Sequence, residues 1–189
     1  MTKKATIILT KHDRNKIDSL VEYYKPNHIW NVALYEMMRE QNLNVHQLAY
    51  KAQIRSKSIE DFLSDTSVPS IRSYMKIAAK LNLKVSIKYD VKIDKETMKK
   101  KSIQYPKIAQ HANNDIAKSV SNLVLNSKDN VSNICKKANI PNARLYLLVS
   151  GKTYSQFTTL EKLGATQNSK LIVSFVPCKN FFQKRVDEI

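Results

Sequence analysis

The segment "NVHQLAYKAQIRSKSIEDFL", residues 44–63, reads as two short helices separated by a break. Asn44 is a residue type that caps helix starts, because its side-chain oxygen can accept from an amide that has no partner in the first turn. Val45–Ala52 then forms one helix, with Leu48 on its apolar face. The pattern stops at Gln53–Ile54. A second helix starts near Ser56 and turns Ile59, Phe62 and Leu63 inward.

Working outward, Trp30, Ala33, Leu34, Met37 and Met38 keep helical spacing up to about Asn42–Leu43. On the other side, "SDTSVPS" (64–70) is turn-rich, and its Pro69 suits a helix start. A helix over Ser70–Leu81 follows, with Ile71, Tyr74, Ile77, Ala78 and Leu81 facing in. "LKVSIKYD" (83–90) alternates Val85, Ile87 and Tyr89 with Lys84, Ser86 and Lys88, the pattern of a half-buried strand with a basic outer face. At the chain start, "KATIILTK" (4–11) reads as a strand. His12–Tyr24 reads as a short helix built on Ile17, Leu20, Val21 and Tyr24, closed by Pro26. Residues 90–114 are polar, include Pro106, and read as a basic linker. Its Lys99, Lys100 and Lys101 are either a solvated run or an arm for phosphate.

Sliding the chain over itself by 86 residues superimposes Asn44, Val45, Lys51, Ala52, Ile54, Ser64, Lys76, Ala79, Asn82 and Lys84 on Asn130, Val131, Lys137, Ala138, Ile140, Ser150, Lys162, Ala165, Asn168 and Lys170. Apolar positions coincide too: Leu48 with Ile134, Ile59 with Leu145, Phe62 with Leu148, and Ile71 with Phe157. Val85, Ile87 and Tyr89 fall on Leu171, Val173 and Phe175, so the strand keeps its phase. Shared core positions and shared phase mark an internal duplication. The expected organisation is an N-terminal strand and helix (1–28), a first repeat (29–89), the basic linker (90–114), a second repeat (115–177) and a tail (178–189).

The 189 residues carry 32 Lys or Arg against 16 Asp or Glu, a net charge of +16. Residues 1–90 hold 15 basic against 9 acidic side chains and residues 91–189 hold 17 against 7, so both halves are basic. Such a field favours polyanions. His12, His28, His46 and His111 lack ligand spacing with Cys135 and Cys178, so no metal or other cofactor is expected. Cys135 lies in a helical apolar pattern, as a buried thiol would. Gly151 and Gly164 are the only glycines, which excludes a glycine-rich phosphate loop. Without an apolar run of about 18 residues or a leading secretory pattern, the chain is expected to be cytoplasmic with no membrane partner. Asp13, Asp18 and Glu22 share helical spacing, but no nucleophile–base–acid set appears, and an enzyme is not expected.

"NVHQLAYKAQI", with Ile59 and Phe62 after it and then "PSIRSYMKIAAKLNLKV", resembles the Xre/Cro phage-repressor family of helix-turn-helix proteins. "NVSNICKKANI", Leu145, Leu148 and "SGKTYSQFTTLEKLGA" resemble it a second time. The family's turn glycine is replaced by Gln53 and Asn139. Asn tolerates the left-handed conformation, and Gln does so poorly. A polar Gln often starts the family's second helix, where this chain has Val45 and Val131.

The resemblance implies a mainly α fold with a small β-sheet: two tandem helix-turn-helix units, each ending in a strand, whose pairing would make an internal pseudo-dimer. The N-terminal strand would extend that sheet. The resemblance also implies that Arg55, Ser56, Lys57 and Ser58 face bases in one copy, and Asn142, Ala143 and Arg144, after Pro141, in the other. Thr66, Ser67, Ser70, Arg72, Lys152, Thr153 and Tyr154 would hold phosphates. Two-fold pairing would set the two reading helices about one DNA turn, roughly 34–36 Å, apart on an asymmetric site.

The expected partner is double-stranded DNA, bound in a regulatory or phage- or plasmid-accessory role by a monomer acting as a pseudo-dimer or by a homodimer. Glu60 and Asp61 in the first reading helix oppose that role. Tyr146 and Leu147 make the second reading helix unusually apolar. Together with Phe181 and Phe182, they motivate the alternative of a protein-binding module, as in antitoxins or phage inhibitors; buried, which is the preferred reading, that aromatic pair would merely cap the sheet.

Overall fold

A computed structural model describes residues 28–110 and 114–178. The N-terminal strand and helix, His111 and the Phe181–Phe182 pair lie outside the described residues. Among the described residues the protein is mainly helical, with one two-stranded antiparallel sheet, and the chain divides after Ser67 into two compact units.

In the first unit, α1 (Ile29–Glu40), α2 (Val45–Ala52) and α3 (Ser56–Leu63) enclose Trp30, Leu34, Met37, Met38, Leu48, Ile59 and Leu63. Asn44 starts α2 through a reciprocal pair. Its side chain accepts from Gln47 N at 2.9 Å, and Gln47 Oε1 accepts from Asn44 N at 3.0 Å. Gln53 ends α2 in the left-handed conformation (φ 57°, ψ 45°). Its amide donates to Tyr50 O at 3.3 Å and that of Ile54 to Ala49 O at 3.0 Å, which satisfies two carbonyls of the last turn. His28 stacks on Trp30 at 4.3 Å, and its Nε2 lies 3.0 Å from Asp65 in the turn after α3.

The second unit contains α4 (Ile71–Lys80), β1 (Leu83–Tyr89), α5 (Lys95–Gln104), α6 (Pro106–Ala109), α7 (Asp115–Leu125), α8 (Val131–Ala138), α9 (Asn142–Val149), α10 (Phe157–Ala165) and β2 (Leu171–Pro177). The spacing found in the sequence recurs in the backbone. Helices α1, α2, α3 and α4 begin 86 residues before α7, α8, α9 and α10. Three pairs of left-handed residues keep the same interval: Gln53 and Asn139, Asp65 and Gly151, Asn82 and Asn168. Asn130 caps α8 as Asn44 caps α2, accepting from Asn133 N at 2.8 Å.

Strands β1 and β2 pair antiparallel with Ile87 opposite Val173, two residues that are also 86 apart. Ser70 and Gln156, again 86 apart, meet in an isolated antiparallel bridge. Equivalent residues face each other in this way on the axis of an isologous interface. One face of the sheet buries Val85, Ile87, Leu171, Val173 and Phe175. Tyr74 fills the space above it, edge-on to Phe157 at 4.9 Å and tilted against Phe175 at 5.4 Å.

Two expectations are corrected. Ser86, assigned to a solvated strand face, is only 8% exposed, because α7 packs on β1, with Asp115 3.2 Å from Lys84 Nζ. Within the stretch 90–114, expected as a linker, Lys95–Gln104 and Pro106–Ala109 form α5 and α6. Asp94 accepts from Glu96 N and Thr97 N to start α5, and the lysines of the run that follows, with Glu96, Met98 and Gln104, favour a helix.

Gly164 is required by space: a Cβ there would lie 2.5 Å from Ser169 O and 3.0 Å from the Tyr89 ring, whose hydroxyl donates to Leu160 O. Gly164→Ala should therefore destabilise the protein by about 1–3 kcal/mol in urea unfolding, as overpacking does. Gln53→Gly should act in the opposite direction. Relief of a left-handed non-glycine residue is worth about 1–2 kcal/mol and exceeds the added chain entropy of about 0.5–1 kcal/mol. A raised urea midpoint would register the difference.

Candidate nucleic-acid interface

The amino-terminal turns of α3 and α9 carry the expected base-facing residues. At α3, Arg55 and Lys57 are exposed and Ser56 and Ser58 are half-buried. Lys57 Nζ lies 3.2 Å from Asp61 and 4.0 Å from Glu60, so the two acids in this helix are directed at their own lysine. At α9, Pro141, Asn142, Ala143 and Arg144 are all exposed, and the helix contains no acid. Both tips follow a left-handed residue, Gln53 or Asn139, that turns the chain sharply away from the preceding helix.

The expected phosphate holders divide into several groups. Thr66 and Ser67 are exposed in the turn after α3. Ser70 instead works within the chain: its Oγ accepts from Ser73 N at 3.1 Å and lies 2.9 Å from Ser73 Oγ, capping α4. Arg72 and Tyr154 come together across the Ser70–Gln156 bridge, with the guanidinium 6.0 Å from the ring centre. Lys152 is exposed and Thr153 is half-buried.

The three consecutive lysines lie on α5 and differ from one another. Lys99 is exposed, Lys100 pairs with Glu96 at 2.8 Å, and Lys101 donates to the carbonyl of Asp129. Burial lowers the pKa of Lys101. The Asp129 carboxylate also takes Lys137 at 2.6 Å. Of this run, Lys99 is exposed and forms no ion pair among the described residues.

One further group carries no expectation from the sequence reading. Tyr50 is 86% exposed on α2, and with His46, Lys51, Arg55 and Ser56 it lines a shallow concavity beside the tip of α3. Its signal was present: Tyr50 falls outside the apolar stripe of Val45, Leu48, Ala49 and Ala52 and follows His46 by one turn. Cys135 is buried, as its helical pattern suggested, and burial raises its thiol pKa. Among the described residues no three His, Cys, Asp or Glu side chains gather to hold a metal ion, and no helix is long and apolar enough to cross a membrane.

The hydrogen bond from Thr97 Oγ1, followed by the Thr97 and Glu96 amides, holds the Asp94 carboxyl below its usual pKa. A lowered folded-state pKa contributes stability above the unfolded value of about 3.9 and loses it as the pH falls below that. Amides 98–104 should therefore exchange several-fold faster in Asp94→Ala than in wild type at neutral pH, and the difference should close in acid; native-state hydrogen exchange measures both. No known protein family, curated protein or solved structure matches the chain.

Proposed function

We propose that this is a non-enzymatic, double-stranded-DNA-binding protein with two helix-turn-helix units of the Xre/Cro type. It would act as a transcriptional regulator or as an accessory factor of a mobile element. The observation that carries the reading is the recurrence, 86 residues apart, of a capped helix, a left-handed residue and a helix whose first turn is exposed. A helix tip of this kind can enter the major groove only if its first turn stands clear of the core. The net charge of +16 suits a phosphate-rich partner.

Arg144 and Arg55 are assigned to guanine, Asn142 to adenine, and Lys57, Ser56 and Ser58 to neighbouring bases or phosphates. Thr66, Ser67, Lys152, Lys99 and Arg72 are assigned to phosphates. The self-equivalent pairs Ile87–Val173 and Ser70–Gln156 support an internal pseudo-dimer. Its two tips differ in sequence, so its preferred site is asymmetric.

A second reading, a protein-binding module on the same fold, rests on Leu147, which is 42% exposed on α9 beside half-buried Tyr146. Leu147→Glu would then abolish capture of a defined partner while leaving duplex affinity unchanged.

Fluorescence anisotropy with a labelled duplex tests the leading reading. The logarithm of the affinity should fall by about 0.9 per phosphate contact for each tenfold rise in salt. Arg144→Ala should weaken binding roughly 5- to 100-fold and relax the preference at one base pair. Lys152→Ala should weaken all duplexes alike. Affinity that does not change with salt contradicts the proposal.

A further inference from the structure

We infer that the concavity between α2 and the tip of α3 binds an unpaired nucleotide by stacking its base on Tyr50, which gives the protein a second, single-stranded-DNA-binding mode. The inference shares the polyanion reading above, and Arg55 and Ser56 serve both, but it turns on Tyr50 and His46, to which the duplex reading gives no part. Among the described residues, Tyr50 is the large apolar side chain most open to solvent, at 86% exposure. Such a ring is left in water at a cost, since burying it would be favourable.

The surroundings of Tyr50 indicate what would cover it. His46, Lys51, Arg55 and Ser56 line the same concavity, and no Asp or Glu does. His46 lies one helical turn before Tyr50 on the same face of α2, and its Nδ1 is 3.2 Å from Ser56 Oγ. That contact ties the imidazole to the α3 tip. The surface thus combines an aromatic face, two cationic side chains, and hydroxyl and imidazole groups able to hydrogen-bond. An aromatic platform flanked by cations is the arrangement that takes a base and its phosphates from a single strand. In an intact duplex the base faces are already stacked on one another, so the Tyr50 ring would have nothing to engage. A hydrophobic protein segment would cover the ring as well, but it would leave Lys51 and Arg55 without counter-charge.

The second copy lacks this surface. At the equivalent positions it has Ser132 for His46, Lys136 for Tyr50 and Pro141 for Arg55. The single-strand site therefore belongs to the first copy alone, whereas duplex contact is open to both.

The test uses the full chain and two fluorescent probes: an oligothymidylate of about 12 nucleotides, within the range of such sites, and a duplex of random sequence. Tyr50→Ala should weaken oligothymidylate binding roughly tenfold, the scale of one lost base stack, and leave duplex binding within about twofold. Tyr50→Phe, which keeps the aromatic face, should bind like wild type on both probes. Failure of wild type to bind oligothymidylate overturns the inference. So does unchanged binding by Tyr50→Ala, or an equal loss on both probes. If wild type binds oligothymidylate through Tyr50 and no duplex, the single-strand site stands and the duplex proposal falls; duplex binding without oligothymidylate binding gives the converse.

Discussion

The antiparallel pairing of β1 with β2 is the constraint on which the larger unit depends. It joins the ends of the two duplicated segments and places Ile87 directly opposite its own equivalent, Val173. Because side chains alternate along a strand, a slip of one residue would turn one strand's set, Val85 and Ile87 or Leu171, Val173 and Phe175, away from the core. The register is therefore held by the whole apolar face, with Tyr74 and Phe157 closing it. Asp90 N, donating to Lys170 O, extends the ladder at one end, and Cys178 N, donating to Asn82 O, extends it at the other.

The two copies differ in the residues that the proposed recognition would use. The first tip carries arginine and lysine but also two acids that engage its lysine, and it stands next to the Tyr50 concavity. The second tip is free of acids and presents Asn142 and Arg144 followed by an exposed leucine. Duplication with retained capping and left-handed turns, together with replaced tip residues, is what a reader of an unsymmetrical site would need. It would equally let one copy acquire a task that the other lacks.

Much of the fold could be read from the sequence because local signals agreed with one another. Asn44 and Asn130 announced helix starts, apolar spacing placed Leu48, Ile59 and Ile134 inside, and strict alternation defined the strands. What could not be read depended on neighbours distant in sequence. Burial of Ser86 needs α7 to lie over β1. Folding of residues 95–104 into a helix with hardly any apolar stripe depends on the Asp94 cap, and the segment is held in place by the bonds of Asn126 to Asp94 N and Lys92 O. Gln53 adopts a conformation unfavourable to its type because two backbone hydrogen bonds and the start of α3 require it. For the candidate interface, the tips were legible as positions. The role of Ser70 as a cap and the engagement of Lys101 with Asp129 were not, since both depend on contacts that the residue types alone leave open.

Selection of bound fragments from a random double-stranded DNA library tests the central claim most directly, because it asks at once whether both tips read and whether they read differently. Enrichment of one bipartite, non-palindromic motif is expected, its two elements lost separately on substitution of Arg55 and of Arg144. No enrichment over the starting library, or a motif that survives both substitutions, would contradict that claim.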